Sequence, residues 1–311
     1  MQTRTIGNSS LAVSTIGLGG NNFGGRIDFA RTQAVVHKAL DLGITLIDTA
    51  DIYGNRGRSE EELGRILGPR RKDVVLATKF GMQMDDAGAL KGTSGRYIKF
   101  AVEASLKRLR TDWIDLYQLH RPDGVTPIEE TLRALDDLVR QGKVRHIGCS
   151  NLSAQQVKEA HDTAERHGLM PFISCQDEYS LLKRDIDRDL MPVIKAQRLG
   201  LLPYFPLASG LLTGKYQRGA PMPAQGRLSD YAAEFVSERN WNIVEALTDF
   251  CRKRNHSLLE LAFSWLLSNP SISSVIAGAT SAAQVEANVR AGGWTLTPDE
   301  LAEIDRITLS G

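Results

Sequence analysis

Thr45-Leu46-Ile47-Asp48-Thr49-Ala50-Asp51-Ile52-Tyr53-Gly54 passes from a short apolar run directly into polar residues, and a helical pattern, Ser59–Leu67, follows within a few positions. A run this short, β-branched and closed by an acid, reads as a strand buried on both faces. The same order returns at Val74–Lys79, Trp113–His120, Val144–Ser150 and Phe172–Gln176, and again at Val13–Leu18, Leu201–Pro206 and Ser273–Ile276. Amphipathic stretches separate these runs: Arg31–Leu42, Gly95–Leu109, Pro127–Gln141, Ser153–Arg166, Asp187–Arg198, Ala232–Asn255 and Leu258–Leu267. Thr126-Pro127 and Ser59-Glu60-Glu61-Glu62 carry helix-start signals, and Gly43, Gly142 and Gly200 stand where a helix stops before a strand. Eight βα units predict a (β/α)8 TIM barrel, an α/β fold, as a single domain over residues 1–311. The rival topology is an open doubly wound sheet. Gly17-Leu18-Gly19-Gly20 lacks the spacing of a dinucleotide fingerprint, which weakens that reading.

Thr3–Ile6 and Leu11–Ala12, around Gly7-Asn8, read as an N-terminal hairpin that plugs the barrel. Two regions exceed the repeat: Ala208–Tyr231, rich in Gly, Pro and Arg, and the extra C-terminal helix Pro298–Leu309. With 38 Lys and Arg against 37 Asp and Glu, the net charge of +1 offers no general attraction to nucleic acid or an anionic membrane. A small-molecule partner is the default expectation. The first residues lack an apolar signal core, and no apolar run reaches the roughly 20 residues of a membrane span, so a cytoplasmic location is expected. Cys149, Cys175 and Cys251 have neither CxxC nor zinc spacing, so buried free thiols and no metal are expected.

In such a barrel the working groups sit where strands end. Asp48, Lys79 and His120 close three successive strands, and Tyr53 follows Asp48 in the next loop. Each alone has an ordinary explanation: a turn cap, a snorkelling lysine, a hydrogen-bonded core histidine, a packed ring. Together they are harder to explain by packing, because buried charges need partners, and these can partner one another.

Leu46-Ile47-Asp48-Thr49-Ala50-Asp51-Ile52-Tyr53-Gly54, then Lys79, then Gln118-Leu119-His120-Arg121, resemble the aldo-keto reductase family in order and across nearly the whole chain. The details are most similar to the branch containing potassium-channel β-subunits and related bacterial reductases. The resemblance implies that Tyr53 donates a proton, that Lys79 and Asp48 are its charged neighbours, and that His120 orients a substrate carbonyl. A tyrosine of pKa ~10 is protonated at neutral pH, and an ammonium beside it stabilises the phenolate left behind. No side chain donates hydride, so a reduced nicotinamide is required.

The resemblance also implies a cofactor track. Ser150, Asn151 and Gln176 would meet the carboxamide, although Ser150-Asn151 reads equally as a helix cap, while Gly20, Asn21 and Asp48 lie beside the ring. Tyr204 would stack on the ring, ahead of the segment that holds Pro206, Leu207, Ser209, Leu211 and Lys215. Lys215 and Arg227 would face the pyrophosphate, and Ala277, Gly278, Thr280, Gln284 and Asn288 the adenosine. Thr280 and Ser281 stand where many relatives have Arg or Lys, Ala277 where proline is common and Ala287 where a glutamate is common, which leaves NADH open. NADPH is the expectation, because the resemblance is to the channel-subunit branch, in which Ser or Thr serves there. Asn22, Phe23, Tyr53, Gly81, Met82, His120 and Arg121 are the expected substrate residues. The leading expectation is an NADPH-dependent reductase of aldehydes or ketones. The alternatives are a redox-sensing NADPH-binding subunit with little turnover, and a Schiff-base aldolase using Lys79. Oligomeric state is left open.

Overall fold

The computed structural model describes residues 1–221 and 227–309. The chain opens with strands β1 (Thr3–Thr5) and β2 (Ala12–Ser14), which pair antiparallel with Arg4 opposite Val13. Strands and helices then alternate: β3 (Ile16–Gly19), α1 (Phe29–Asp41), β4 (Leu46–Asp48), α2 (Tyr53–Leu67), β5 (Val75–Phe80), α3 (Gly95–Leu109), β6 (Ile114–Leu119) and α4 (Ile128–Arg140). The pattern continues through β7 (Val144–Ser150), α5 (Ala154–His167), β8 (Ser174–Gln176), α6 (Ile186–Ala196) and β9 (Gly200–Leu201). A 3₁₀ segment at Ala208–Thr213 precedes α7 (Arg227–Asp230), α8 (Ala232–Phe235), α9 (Glu238–Arg252) and α10 (Leu258–Ser268). The chain ends with β10 (Val275–Gly278), α11 (Ala282–Ala291) and α12 (Pro298–Leu309).

Eight strands form one parallel sheet in the order β10-β3-β4-β5-β6-β7-β8-β9. Its two edges meet where the Leu201 N–H donates to the Ser271 carbonyl (2.7 Å), Ser273 N–H to Leu201 (3.0 Å) and Ile276 N–H to Pro203 (3.1 Å). The sheet is therefore a closed (β/α)8 barrel. Strand alternation sends every second side chain inward. Leu46, Ala77, Leu116, Leu202 and Ile276 fill the interior, and Ile6 and Val13 of the hairpin pack against them from the N-terminal end. The hairpin is clamped there by Arg4, whose guanidinium donates to the carbonyls of Leu267 (2.6 Å), Ile272 (2.8 Å) and Asn269 (3.2 Å). The helices pack outside, each on one apolar stripe, as with Leu132, Leu135 and Leu138 of α4.

Several boundaries differ from expectation. Val13–Leu18 is two strands, because Val13 pairs with Arg4 in the hairpin while Ile16–Gly19 joins the barrel. Of Leu201–Pro206 only Leu201 lies in a strand, β9, since Pro203 and Pro206 have no N–H to donate to a ladder. Ala232–Asn255 is broken: Val236 is extended, and Ser237 caps α9 by accepting from Asn240 N–H at 3.2 Å. The long segment Ala208–Tyr231 contains the 3₁₀ turn and α7, and its positions 222–226 lie outside the described residues. Cys149, Cys175 and Cys251 are buried free thiols.

Candidate active site

The inward parity that places Leu46, Ala77 and Leu116 in the barrel interior brings Asp48, Lys79 and Gln118 up beside one another, two residues further along β4, β5 and β6. The Lys79 ammonium is fully buried, 2.7 Å from Asp48 Oδ2 and 2.9 Å from the Thr49 carbonyl. The other Asp48 oxygen, Oδ1, accepts from Gln176 Nε2 (2.9 Å) and Gln118 Nε2 (3.3 Å). Three side chains, from β5, β6 and β8, thus hold the β4 carboxylate with both oxygens engaged.

Tyr53 is delivered by the loop after β4, which is laced to β5 through Thr49 N–H to Ala77 C=O (2.9 Å) and Asp51 N–H to Lys79 C=O (3.1 Å). Its hydroxyl lies 3.5 Å from Lys79 Nζ. His120 meets the Tyr53 ring edge-on at a centroid distance of 5.9 Å. Four positive φ values, from Gly54 to Gly57, turn the chain away from Tyr53 and into the body of α2. At Gly54 a Cβ would lie 2.4 Å from the Phe23 carbonyl, so the turn requires glycine there.

Burial raises the Tyr53 phenol above its ordinary 10, with Lys79 drawing it part of the way back. Burial alone would lower the Lys79 ammonium, and Asp48 with Tyr53 more than offsets it, so the lysine stays charged. A Schiff base needs a free, reachable amine, and Lys79 is buried with its ammonium on Asp48 and the Thr49 carbonyl, which lends the lysine-nucleophile expectation no support. Burial, helped by the Lys79 and Arg121 cations, lowers His120 to about 3, so its imidazole is neutral.

A cavity of about 1040 Å³ opens over Tyr53 and His120 and runs along the barrel mouth. Of the expected cofactor residues, Gly20, Asn21, Asp48, Ser150, Asn151, Gln176, Tyr204, Pro206, Leu207, Ser209, Lys215, Arg227, Ala277, Gly278, Thr280, Gln284 and Asn288 line it. Leu211 does not, being fully buried. Of the expected substrate residues, Asn22, Tyr53, His120 and Arg121 line it; Phe23 is buried in the core, and Gly81 and Met82 stand outside the wall. The wall also has polar atoms without partners among the described residues: Ser209 Oγ and Glu178 Oε1 are buried and unbonded. Ala208 and Ser209 hold left-handed backbone, with φ of 45° and 54°. Arg227 crosses the mouth, donating to Asn21 Oδ1 (2.9 Å) and Asn22 Oδ1 (3.0 Å) over the Phe205 ring.

Residue-level reading missed Gln118, Glu178, Tyr231, Glu234, Arg26 and Arg31, the last five of which line the cavity. Gln118 carried a usable signal, a polar residue on the inward parity of an apolar strand. Glu178 sits two positions past Gln176 and repeats that parity, whereas Arg26 and Arg31 carried none. Burial, then the nearby Glu234, pushes Glu178 up to about 7. Among the described residues no group of three His, Cys, Asp or Glu is arranged to hold a metal, and no helix is long and apolar enough to cross a membrane.

The profile described as Aldo/keto reductase family matches residues 15–308. A probable voltage-gated potassium channel subunit beta of Arabidopsis thaliana is 37% identical over 324 residues, spanning 100% of this chain and 97% of that one. An L-glyceraldehyde 3-phosphate reductase of Escherichia coli strain K12 is 33% identical, spanning 100% and 93%. An aldo-keto reductase of Bacillus subtilis is 33% identical, spanning 99% and 93%.

Proposed function

Because the chain belongs to the aldo/keto reductase family and is an NAD(P)H-dependent reductase, we propose that it reduces small aldehydes or ketones with NADPH, with Tyr53 supplying the proton. The observation that carries this reading is the cluster of Tyr53, Asp48 and His120 at the floor of one cavity, with Lys79 buried against Asp48 and Tyr53. Bound reduced nicotinamide supplies hydride. The cavity suits such a ligand: one space is lined by residues from Tyr53 to Thr280, its unbonded Ser209 hydroxyl and left-handed backbone fit an anionic centre, and Lys215 and Arg227 bring cations to it. Ser150, Asn151, Gln176 and Tyr204 would hold the nicotinamide end, and Thr280, Gln284 and Asn288 the adenosine end.

Tyr53 keeps its proton at neutral pH and releases it to a carbonyl oxygen, and Lys79 holds the resulting phenolate as an ion pair. Asp48 fixes Lys79 in place, and Gln118 and Gln176 fix Asp48. A neutral His120 offers a ring N–H to the same carbonyl oxygen without competing for the proton. In an assay of NADPH absorbance with an aromatic aldehyde, Tyr53→Phe is expected to lose roughly 10²- to 10⁴-fold in kcat while NADPH still binds. Undiminished turnover in that variant overturns the mechanism. The similarity to a protein named as a channel subunit supports a second reading, NADPH binding as a signal. Tight binding without turnover in the same assay would favour it.

A further inference from the structure

The adenosine end of the cavity draws no cation from the residues that open α11. Thr280 and Ser281 are neutral, and Gln284 Oε1 accepts from both the Thr280 N–H (2.8 Å) and its hydroxyl (3.1 Å). A side-chain carbonyl oxygen therefore occupies the donors that an anion would take. Helix α1 runs alongside α11, with Lys38 Nζ 2.9 Å from Glu286 Oε1. The two helices point the same way, because each follows one of two paired parallel strands, with Gly19 opposite Gly278. Arg31 lies seven residues before Lys38, two turns back on the same face, and seven residues before Glu286 is Ala279. Arg31 is thus level with the start of α11, and it lines the cavity with Thr280 and Gln284.

The charge balance around Arg31 leaves it available. Its guanidinium has no hydrogen-bond or ion-pair partner among the described residues. The nearby Asp28 carboxylate caps α1, accepting from the Arg31 backbone N–H at 2.9 Å, and Lys38 is matched by Glu286. A cation in the first turn of a helix gains nothing from the helix dipole, which is positive there. The amino ends of α1 and α11 and the guanidinium all contribute the same sign at one edge of the cavity.

We propose that Arg31 is the residue that selects the phosphorylated cofactor, its guanidinium pairing with the 2′-phosphate of NADPH, so that the preference over NADH is set from α1. The inference rests on the reading that a nicotinamide dinucleotide fills this cavity. Fluorescence titration of the full chain and of Arg31→Ala with NADPH and with NADH tests it. The wild-type chain should prefer NADPH; Arg31→Ala should weaken NADPH binding roughly 10- to 100-fold and leave NADH binding unchanged, which also reports an intact fold. Arg31→Lys should retain part of the preference. Equal losses for both cofactors, no loss, or a wild-type chain that does not prefer NADPH overturns the assignment to Arg31 while the cavity reading stands. A wild-type chain that binds neither dinucleotide overturns the cavity reading itself.

Discussion

Burial acts on Tyr53 and Lys79 in opposite directions, and their 3.5 Å approach is what makes the conflict useful. The phenol is kept protonated and the ammonium charged, so a group that can give up a proton and a cation that can pair with what is left coexist at one pH. His120 is arranged differently. Its folded value of about 3 lies below the ordinary 6.5, so the folded state resists protonation. The stability this contributes is present above pH 6.5 and is lost as pH falls toward about 3. By NMR, the His120 ring resonances are expected not to titrate between neutral pH and about 4; a midpoint near 6.5 would refute its neutrality. At this scale the sequence was a good guide to charge and a poor one to hydrogen bonds. Asp48, Lys79 and His120 were visible as polar ends of apolar strands. That Gln176 of β8 bonds Asp48 of β4 depends on how the barrel closes, and that Asp51 is buried with neither carboxyl oxygen bonded among the described residues depends on loop placement; spacing encodes neither. Burial, then Glu60, raises the Asp51 carboxyl well above its ordinary value.

Helix α2 carries Tyr53 at its start and is held against α3 by a close backbone approach. A Cβ at Gly64 would lie 2.3 Å from the Arg108 carbonyl, and the same contact region holds the Arg108 Nε to Glu60 Oε2 bond at 2.7 Å. In a free helix Gly→Ala gains up to ~1 kcal/mol. Here the clash outweighs it, and Gly64→Ala is expected to destabilise by about 1–3 kcal/mol, read as a lower denaturant midpoint at unchanged slope. An unchanged or higher midpoint would show that α2 can move off α3 freely. Helices and strands with clear apolar period were legible as far as their cores. Their ends were not, where one residue such as Ser237 interrupts a continuous amphipathic pattern to cap a new helix. The shortness of β9 was legible in principle, since Pro203 and Pro206 were visible in the run.

The whole molecule was foreseen in its topology, because eight repeats of one apolar and amphipathic alternation leave few ways to bury both faces of a parallel sheet. The hairpin was foreseen too, from Gly7-Asn8 between two short runs, although its second strand extends to Ser14. The direction in which the cavity runs was not, because it depends on which loops rise over the mouth. Arg227 and Arg31 reach the same cavity from segments 196 positions apart, and no local pattern pairs them.

The edge bonds between Leu201 and Ser271 and between Ile276 and Pro203 have a kinetic meaning. They join residues about 70 positions apart, contacts that are slow to form because a long stretch of chain must first be brought together. The Asp48 cluster belongs to the arc from β4 to β8, whereas Thr280, Gln284 and Asn288 arrive only with β10 and α11. On dilution from denaturant, far-ultraviolet ellipticity should therefore recover ahead of dinucleotide binding. Simultaneous recovery would mean that the barrel closes as one cooperative event, and a measured lag would time the seam.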